Sequence, residues 1–323
     1  MAEVVLRCAV CRALLDEEDL FCSNCGTEAP HTSPPRGATR SFTHHFRCSS
    51  CGASMSYDAR AQGLRCPFCA AVEMTAQPDA HTLAPRRVVP FGVSASQAVE
   101  SIRRWLGRGW WRPSDLSTQA LLVALHAVYV PYWVFRAQTH TYFTADSSVT
   151  PPGARADWYP VFGEHRGEYD GLLVAASGAL THDELQGLAP FDLSQGVPPD
   201  HVDLDNVTVE QFSVPRRYAR PLAQQGLEEL ERQACMARYL PGRSRNVKVN
   251  LLLQGLASEP ILLPVWIAAY RYGGRVYRCL VNGQNGRATG AAPLSWLKIA
   301  AAVAVGLALA AAALVAVRLL IGW

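Results

Sequence analysis

Eight of the ten cysteines fall in four Cys-x-x-Cys pairs within the first 69 residues. Cys8 and Cys11 precede Cys22 and Cys25, and Cys48 and Cys51 precede Cys66 and Cys69. A Cys-x-x-Cys turn places two sulfurs on one side of a tight loop. Two such knuckles furnish a tetrahedral shell with Zn–S bonds of about 2.3 Å. Two complete sets predict two Zn2+ ions per chain, with a rubredoxin-like iron or an iron–sulfur cluster as the alternative occupant. Four thiolates leave no coordination position for water, so the expected role is structural. Gly26 and Gly52 each follow the second cysteine of a knuckle, where a small residue lets backbone N–H groups turn toward the sulfurs. His44 and His45 stand near Cys48, but eight cysteines already satisfy two ions. Cys235 and Cys279 are isolated and are expected to be small buried apolar residues.

Other chemistry is sparse. No Gly-x4-Gly-Lys-Ser/Thr loop, His-Glu-x-x-His helix or Gly-x-Ser-x-Gly elbow occurs, which excludes a P-loop motor and leaves no recognised catalytic constellation. The stretches 165–168 and 182–184 set acids beside histidines without metal or triad spacing, and both read as solvated loops. Residues 282–290 are glycine-rich and include Arg287, and turn chemistry is expected there over an anion cradle.

The elements that must position the knuckles divide the chain into residues 1–29 (zinc ribbon 1), 30–42 (a linker), 43–75 (zinc ribbon 2), 76–295 (an α+β body) and 296–323 (a membrane anchor). The linker is rich in Pro, Ser and Arg and has nothing to bury. In the body, Ser94-Ala95-Ser96-Gln97 has the form of a capping box opening a helix with Val99, Ile102 and Leu106 at helical spacing. A second helix is predicted from Leu222 to Leu240, with Leu227, Leu230, Ala234 and Ala237 on one face and Pro241-Gly242 as its stop. Gly273-Gly274 separates two β-branched and aromatic runs, 261–272 and 275–282, and predicts a tight antiparallel hairpin. Val130-Pro131-Tyr132-Trp133-Val134 is echoed by Leu263-Pro264-Val265-Trp266-Ile267; two related half-domains or chance would each explain it.

Nineteen residues from Ile299 to Val317 carry no charge. As a helix they span about 28 Å, close to a hydrocarbon core. Lys298 and Arg318 bracket the run, and Trp296 and Trp323 stand where interfacial anchors belong. The bilayer is thus an expected partner through residues 296–323, as a single-pass tail anchor. The absence of an apolar leader before Cys8 and the thiolate sites place the remainder in the cytoplasm. Ala300, Ala304, Ala308, Ala312 and Ala316 form a small-residue stripe suited to association with another helix.

Eight thiolates and two dications shift the formal charge from +3 to −1, and only Lys248 and Lys298 are lysines. No basic run with interleaved aromatics remains, which argues against nucleic acid as partner. The ribbon Phe46-Arg47-Cys48 to Cys51-Gly52, with Cys66-Pro67-Phe68-Cys69, resembles a TFIIB-type zinc ribbon. Together with Val89-Pro90-Phe91, residues 128–133, 263–266 and 281–286, it is similar to bacterial zinc-ribbon membrane proteins often labelled primosomal protein N′ (replication factor Y)-like. That label names a helicase, whose motor this chain lacks. Relatives associated with membrane-stress systems of the phage-shock type imply an anchoring or scaffold role. The expectation is a non-enzymatic adaptor at the inner membrane that recruits protein partners. A membrane-tethered nucleic-acid binder and an enzyme with a site in the body are the alternatives.

Overall fold

The computed structural model describes residues 7–12, 27, 44–57, 65–69, 71–76, 83–153, 157–204, 207–240 and 242–321. Cys22, Cys25, the linker, Pro241 and Trp323 lie outside the described residues. The chain is mixed α+β, with ten strands of one sheet and five α-helices among the described residues.

Three short strands surround the second cysteine set: β1 (His44–Cys48), β2 (Ser54–Tyr57) and β3 (Met74–Ala76). The body follows with β4 (Arg87–Val88), α1 (Ala95–Leu106), α2 (Leu116–Gln119), β5 (Leu121–Ser147) and β6 (Tyr159–Ala175). Next come α3 (His182–Leu188), β7 (Thr208–Glu210), α4 (Arg216–Tyr239), β8 (Ser244–Tyr272), β9 (Arg275–Asn282), β10 (Ala288–Gly290) and α5 (Trp296–Ile321).

The sheet is organised on β5 and β8, 27 and 29 residues long, which pair antiparallel along their whole length. At about 3.3 Å per residue each is on the order of 90 Å if fully extended. β6 continues β5 as a long hairpin, and β9 continues β8 as a short one through Gly273 and Gly274, whose φ values of 54° and 77° suit a tight turn. Because β5 and β8 run antiparallel, the two hairpins point to opposite ends of the molecule.

The echo between residues 130–134 and 263–267 marks an internal duplication. One unit is β4–α1–β5–β6 and the other is β7–α4–β8–β9. Each short strand pairs in parallel with one long strand at equivalent points, β7 with Val128 and Tyr129, and β4 with Ile261 and Leu262. The indole N–H of Trp133 donates to Val214 O and that of Trp266 to Val93 O, both at 2.9 Å. Ala176 N–H donates to Pro131 O (3.0 Å), and Gly283 N–H to Pro264 O (2.8 Å). The Ala176 carbonyl accepts from Ser213 and Val214 N–H, while the Gly283 carbonyl accepts from Gly92 and Val93 N–H. Phe212 packs on Trp133 and Phe91 on Trp266, with ring centroids 5.3 and 5.1 Å apart. Each unit lends its helix to the other's hairpin, so α4 lies on β6 and α1 on β9.

Alternation along the long strands separates two faces. Trp133, Phe135 and Ala137 meet Ala219, Ala223 and Leu227 of α4. Ala268, Tyr270 and Cys279 meet Ile102 and Leu106 of α1. On the opposite face Val128, Val130, Tyr132, Val134, Leu263 and Val265 are covered by α3 and by the cysteine module.

Ser94 caps α1 with the predicted capping box complete. The second predicted helix begins six residues earlier than expected, at Arg216, and buries Ala219, Ala223, Leu227, Glu231 and Cys235. Leu230 stays 37% exposed. Small residues let α4 lie close on the hairpin, and that approach outweighs the larger apolar side chains. The 165–168 stretch is not a solvated loop: His165 is buried in β6, its Nδ1 3.2 Å from the Tyr239 hydroxyl. Residues 182–184 likewise form the first turn of α3, where Thr181 and Glu184 make a second capping box.

Candidate metal centre

β1 carries the chain into Cys48, and the knuckle closes through Gly52 N–H donating to Cys48 O (2.9 Å), with Gly52 at φ 74°. Ala53 O accepts from Cys48 N–H, and Ala71 O from Cys66 N–H, at 2.9 and 2.8 Å, so each knuckle is held at both ends by backbone. The Sγ atoms of Cys48, Cys51, Cys66 and Cys69 all lie within 4.8 Å of one another. Cys48 Sγ is 3.5 Å from Cys69 Sγ, and Cys51 Sγ is 3.6 Å from Cys66 Sγ. A tetrahedron with Zn–S bonds of about 2.3 Å has S···S edges of about 3.8 Å, so this set fits one ion.

Backbone amides favour the thiolates unequally. Burial works against ionisation of Cys48, but the N–H groups of Cys51 and Ser50 and the neighbouring thiols bring it down to about 7. Burial pushes Cys51 up to about 11 against the Ala53 N–H. Burial also raises Cys66, opposed by the N–H groups of Cys69 and Phe68. A divalent cation bound here would supply the positive charge that lets all four ionise together, with the amides as its outer shell.

The module is joined to the body. β2 pairs antiparallel with β7, Met55 opposite Glu210 and Ser56 opposite Val209, so the cysteine cluster's strands extend the body's sheet. His45 is not turned to the sulfurs: its Nδ1 lies 2.9 Å from Ser56 Oγ and 2.7 Å from Gln211 Nε2. Arg278 donates to Phe68 O inside the second knuckle (3.2 Å) while its guanidinium grips both oxygens of Glu184 at 2.9 and 2.7 Å. Phe68 and Met55 are buried in the core shared with β5, β8 and α3.

Of the first cysteine set, Cys8 is buried and Cys11 half-buried. Arg12 N–H donates to Cys8 O (2.9 Å), and Arg12 takes φ 57°. This is the turn that Gly52 makes after Cys51, formed here by a residue with a side chain. Cys22 and Cys25 lie outside the described residues. Cys235 and Cys279 are fully buried, and burial pushes their thiols up to about 11 and about 12.

Two buried carboxylates escaped sequence reasoning. Glu210 accepts from Ser177 Oγ (2.7 Å), Gly178 N–H (3.1 Å) and Ala179 N–H (3.3 Å). Its burial raises the carboxyl to about 7 in spite of those bonds and the Arg278 charge. Glu231 accepts from the Thr139 hydroxyl, and His165 Nε2 lies 4.0 Å from its other oxygen. Neither has a sequence signal, because an acid on a helix face or strand reads as solvated.

At the far end of the chain α5 contains Trp296–Leu314, 19 residues of mean hydropathy 2.2, none of them buried. It is long and apolar enough to cross a membrane. Residues 282–290 form the expected turn: Asn282 Oδ1 accepts from Gln284 and Asn285 N–H at 2.8 and 3.1 Å.

No family model and no solved structure matches the chain. It is similar to the uncharacterized protein YdjG of Bacillus subtilis (strain 168), 24% identical over 227 residues that cover 68% of this chain and 67% of that protein.

Proposed function

We propose that this chain is a non-enzymatic, membrane-tethered adaptor in which two structural zinc ribbons and a duplicated α+β body are held to a bilayer by α5. The observation that carries the reading is that an apolar helix with no buried share stands in one chain with a four-sulfur cluster built into the body's sheet. An apolar helix with no buried residue along its span needs an apolar solvent. A closed S4 shell stabilises a fold and has no position for substrate. Cys8, Cys11, Cys22 and Cys25 hold the second ion. Reducing conditions for eight thiolates put the ribbons and body on the cytoplasmic side of the inner membrane. Protein partners are recruited there.

The test is a salt series on the full chain in detergent, with duplex DNA and single-stranded RNA as competitors of co-purified protein. Adaptor interfaces rest on buried apolar contacts, so the protein partner stays bound at physiological salt and nucleic acid does not bind. Submicromolar nucleic-acid binding there, lost when Arg40, Arg47, Arg60 and Arg65 become alanine, overturns the reading. Metal analysis giving one zinc per chain removes zinc ribbon 1, with Cys8, Cys11, Cys22 and Cys25, from it.

A further inference from the structure

Trp110 and Trp111 stand 81% and 44% exposed in the turn between α1 and α2. A free indole in water forgoes one of the largest apolar gains open to a side chain. This turn is fastened to the base of α5. Ser295 N–H donates to Trp111 O (2.7 Å), and Lys298 Nζ donates to Arg112 O (2.8 Å). Trp296 and Leu297 open α5, also exposed.

The tip of the short hairpin lies beside the same turn. The Tyr272 hydroxyl donates to Asp115 Oδ1 and the Tyr270 hydroxyl to Ala291 O, both at 2.8 Å. On that tip Leu121, Arg271 and Val276 stand opposite one another in register and are all exposed. At the end of α1, Arg104, Arg108 and Arg287 line a cleft of about 440 Å³ with Ser101 and Trp105. The acids in this region are already engaged, Glu100 by Arg104 at 3.0 Å and Asp115 by Tyr272.

A helix that crosses a bilayer fixes the depth of whatever is hydrogen-bonded to its first turn. Trp111 and Arg112 must then lie where Trp296 and Lys298 lie, at the boundary between headgroups and acyl chains. Indoles favour that boundary, and arginines near it are drawn to anionic lipid over a Debye length. We propose that residues 107–115, the short hairpin tip and the arginine cleft form a second membrane contact that seats this end of the body on an anionic phospholipid headgroup layer. The proposal rests on α5 being a membrane span. Its consequence is orientation: the short hairpin faces the lipid and the long hairpin projects away from it.

The test is hydrogen exchange of the full chain in phosphatidylglycerol nanodiscs, phosphatidylcholine nanodiscs and detergent micelles. Residues 107–115 should exchange several-fold more slowly in phosphatidylglycerol discs than in phosphatidylcholine discs. Replacing Trp110 and Trp111 by Ser should remove that protection and leave the metal knuckles unchanged. Replacing Arg104, Arg108 and Arg287 by Ala should remove the preference between lipids. Equal protection in the two discs overturns the anionic-headgroup assignment. A turn that exchanges as fast in both discs as in micelles, while α5 stays protected, overturns the contact and leaves the span standing. An α5 unprotected in discs removes the span itself.

Discussion

The two units of the body make the same parallel strand pair and the same indole-to-carbonyl bond, start their helices at equivalent positions with different residues, and differ most in length. α4 has 24 residues and covers a hairpin whose return strand has 17; α1 has 12 and covers one whose return strand has 8. The longer helix goes with the longer hairpin because each helix must cover the apolar face of the other unit's strands. The difference teaches which interactions define the unit. Backbone bonds such as Ala176 N–H to Pro131 O and Gly283 N–H to Pro264 O are kept, with proline as acceptor in both and a different donor residue in each.

The units also differ at their edges. β7 of the second unit is extended by β2 of the metal module, whereas β4 of the first meets Val197 in an isolated bridge. Removing a metal bound by the Cys48–Cys69 set should therefore act on one unit first, and this is the largest effect expected. Structural zinc supplies on the order of 10–16 kcal/mol to small ribbons. Chelation, or Cys48→Ser, should unfold β1, β2 and β3 and speed amide exchange at Val209 and Glu210 far more than at Val88 and Val89. Equal acceleration at both edges would break the comparison.

Trp133 and Trp266 test whether the units are energetically alike as well as geometrically. Phe in either place keeps most of the packing but leaves a carbonyl, Val214 O or Val93 O, without its donor. Each substitution should cost about 1–3 kcal/mol in denaturant unfolding. A several-fold disparity between the two would mean that the duplication is geometric alone.

Much of this was legible where chemistry is local. Cysteine spacing, the Ser94 box, the Gly273-Gly274 turn and the uncharged run each need only neighbours in sequence. The duplication surfaced only as a Pro-x-Trp echo, because equivalent positions hold Val89 and Glu210, or Ser94 and Pro215. The long arms of β5 and β8 were missed because their outer faces are polar, with His140, Lys248 and Asn250 among them. The α4 face was misread because Ala219 and Ala223 carry the contact and Glu231 is buried beside Thr139.

Position 89 against position 210 gives a sharper pH test. Val89 is fully buried in the first unit, and Glu210 replaces it in the second. The folded carboxyl is raised to about 7 from an ordinary value of 4.5, so the folded state holds a proton that the unfolded chain releases. The contribution of Glu210 to stability is then fully present below pH about 4.5, falls as pH rises to about 7, and is flat above. The loss is on the order of 3 kcal/mol. Glu210→Gln should abolish that slope, measured as unfolding midpoints from pH 4 to 8, whereas Val89→Ala should lower stability equally at every pH. A slope retained in Glu210→Gln would move its origin elsewhere.

The smallest effect expected is at the helix starts. Ser94 caps α1 from its hydroxyl to the Gln97 N–H, with the Gln97 side chain returning to the Ser94 N–H at 2.8 Å. Pro215 occupies the same place before α4, extended at φ −57° and ψ 151°, and makes no side-chain cap. Ser94→Ala should cost about 1 kcal/mol, since one helical N–H loses its acceptor. Pro215→Ser adds a cap of about that size but frees the unfolded chain by about 0.4–1 kcal/mol, so the two terms offset each other. Stability should change by less than about 0.5 kcal/mol. The longer helix does not need the cap: burial of Ala219, Ala223 and Leu227 against the long hairpin holds its first turns in place. A Pro215→Ser gain as large as the Ser94→Ala loss would show instead that the second helix start is underdetermined, and that chain stiffness at Pro215 contributes little.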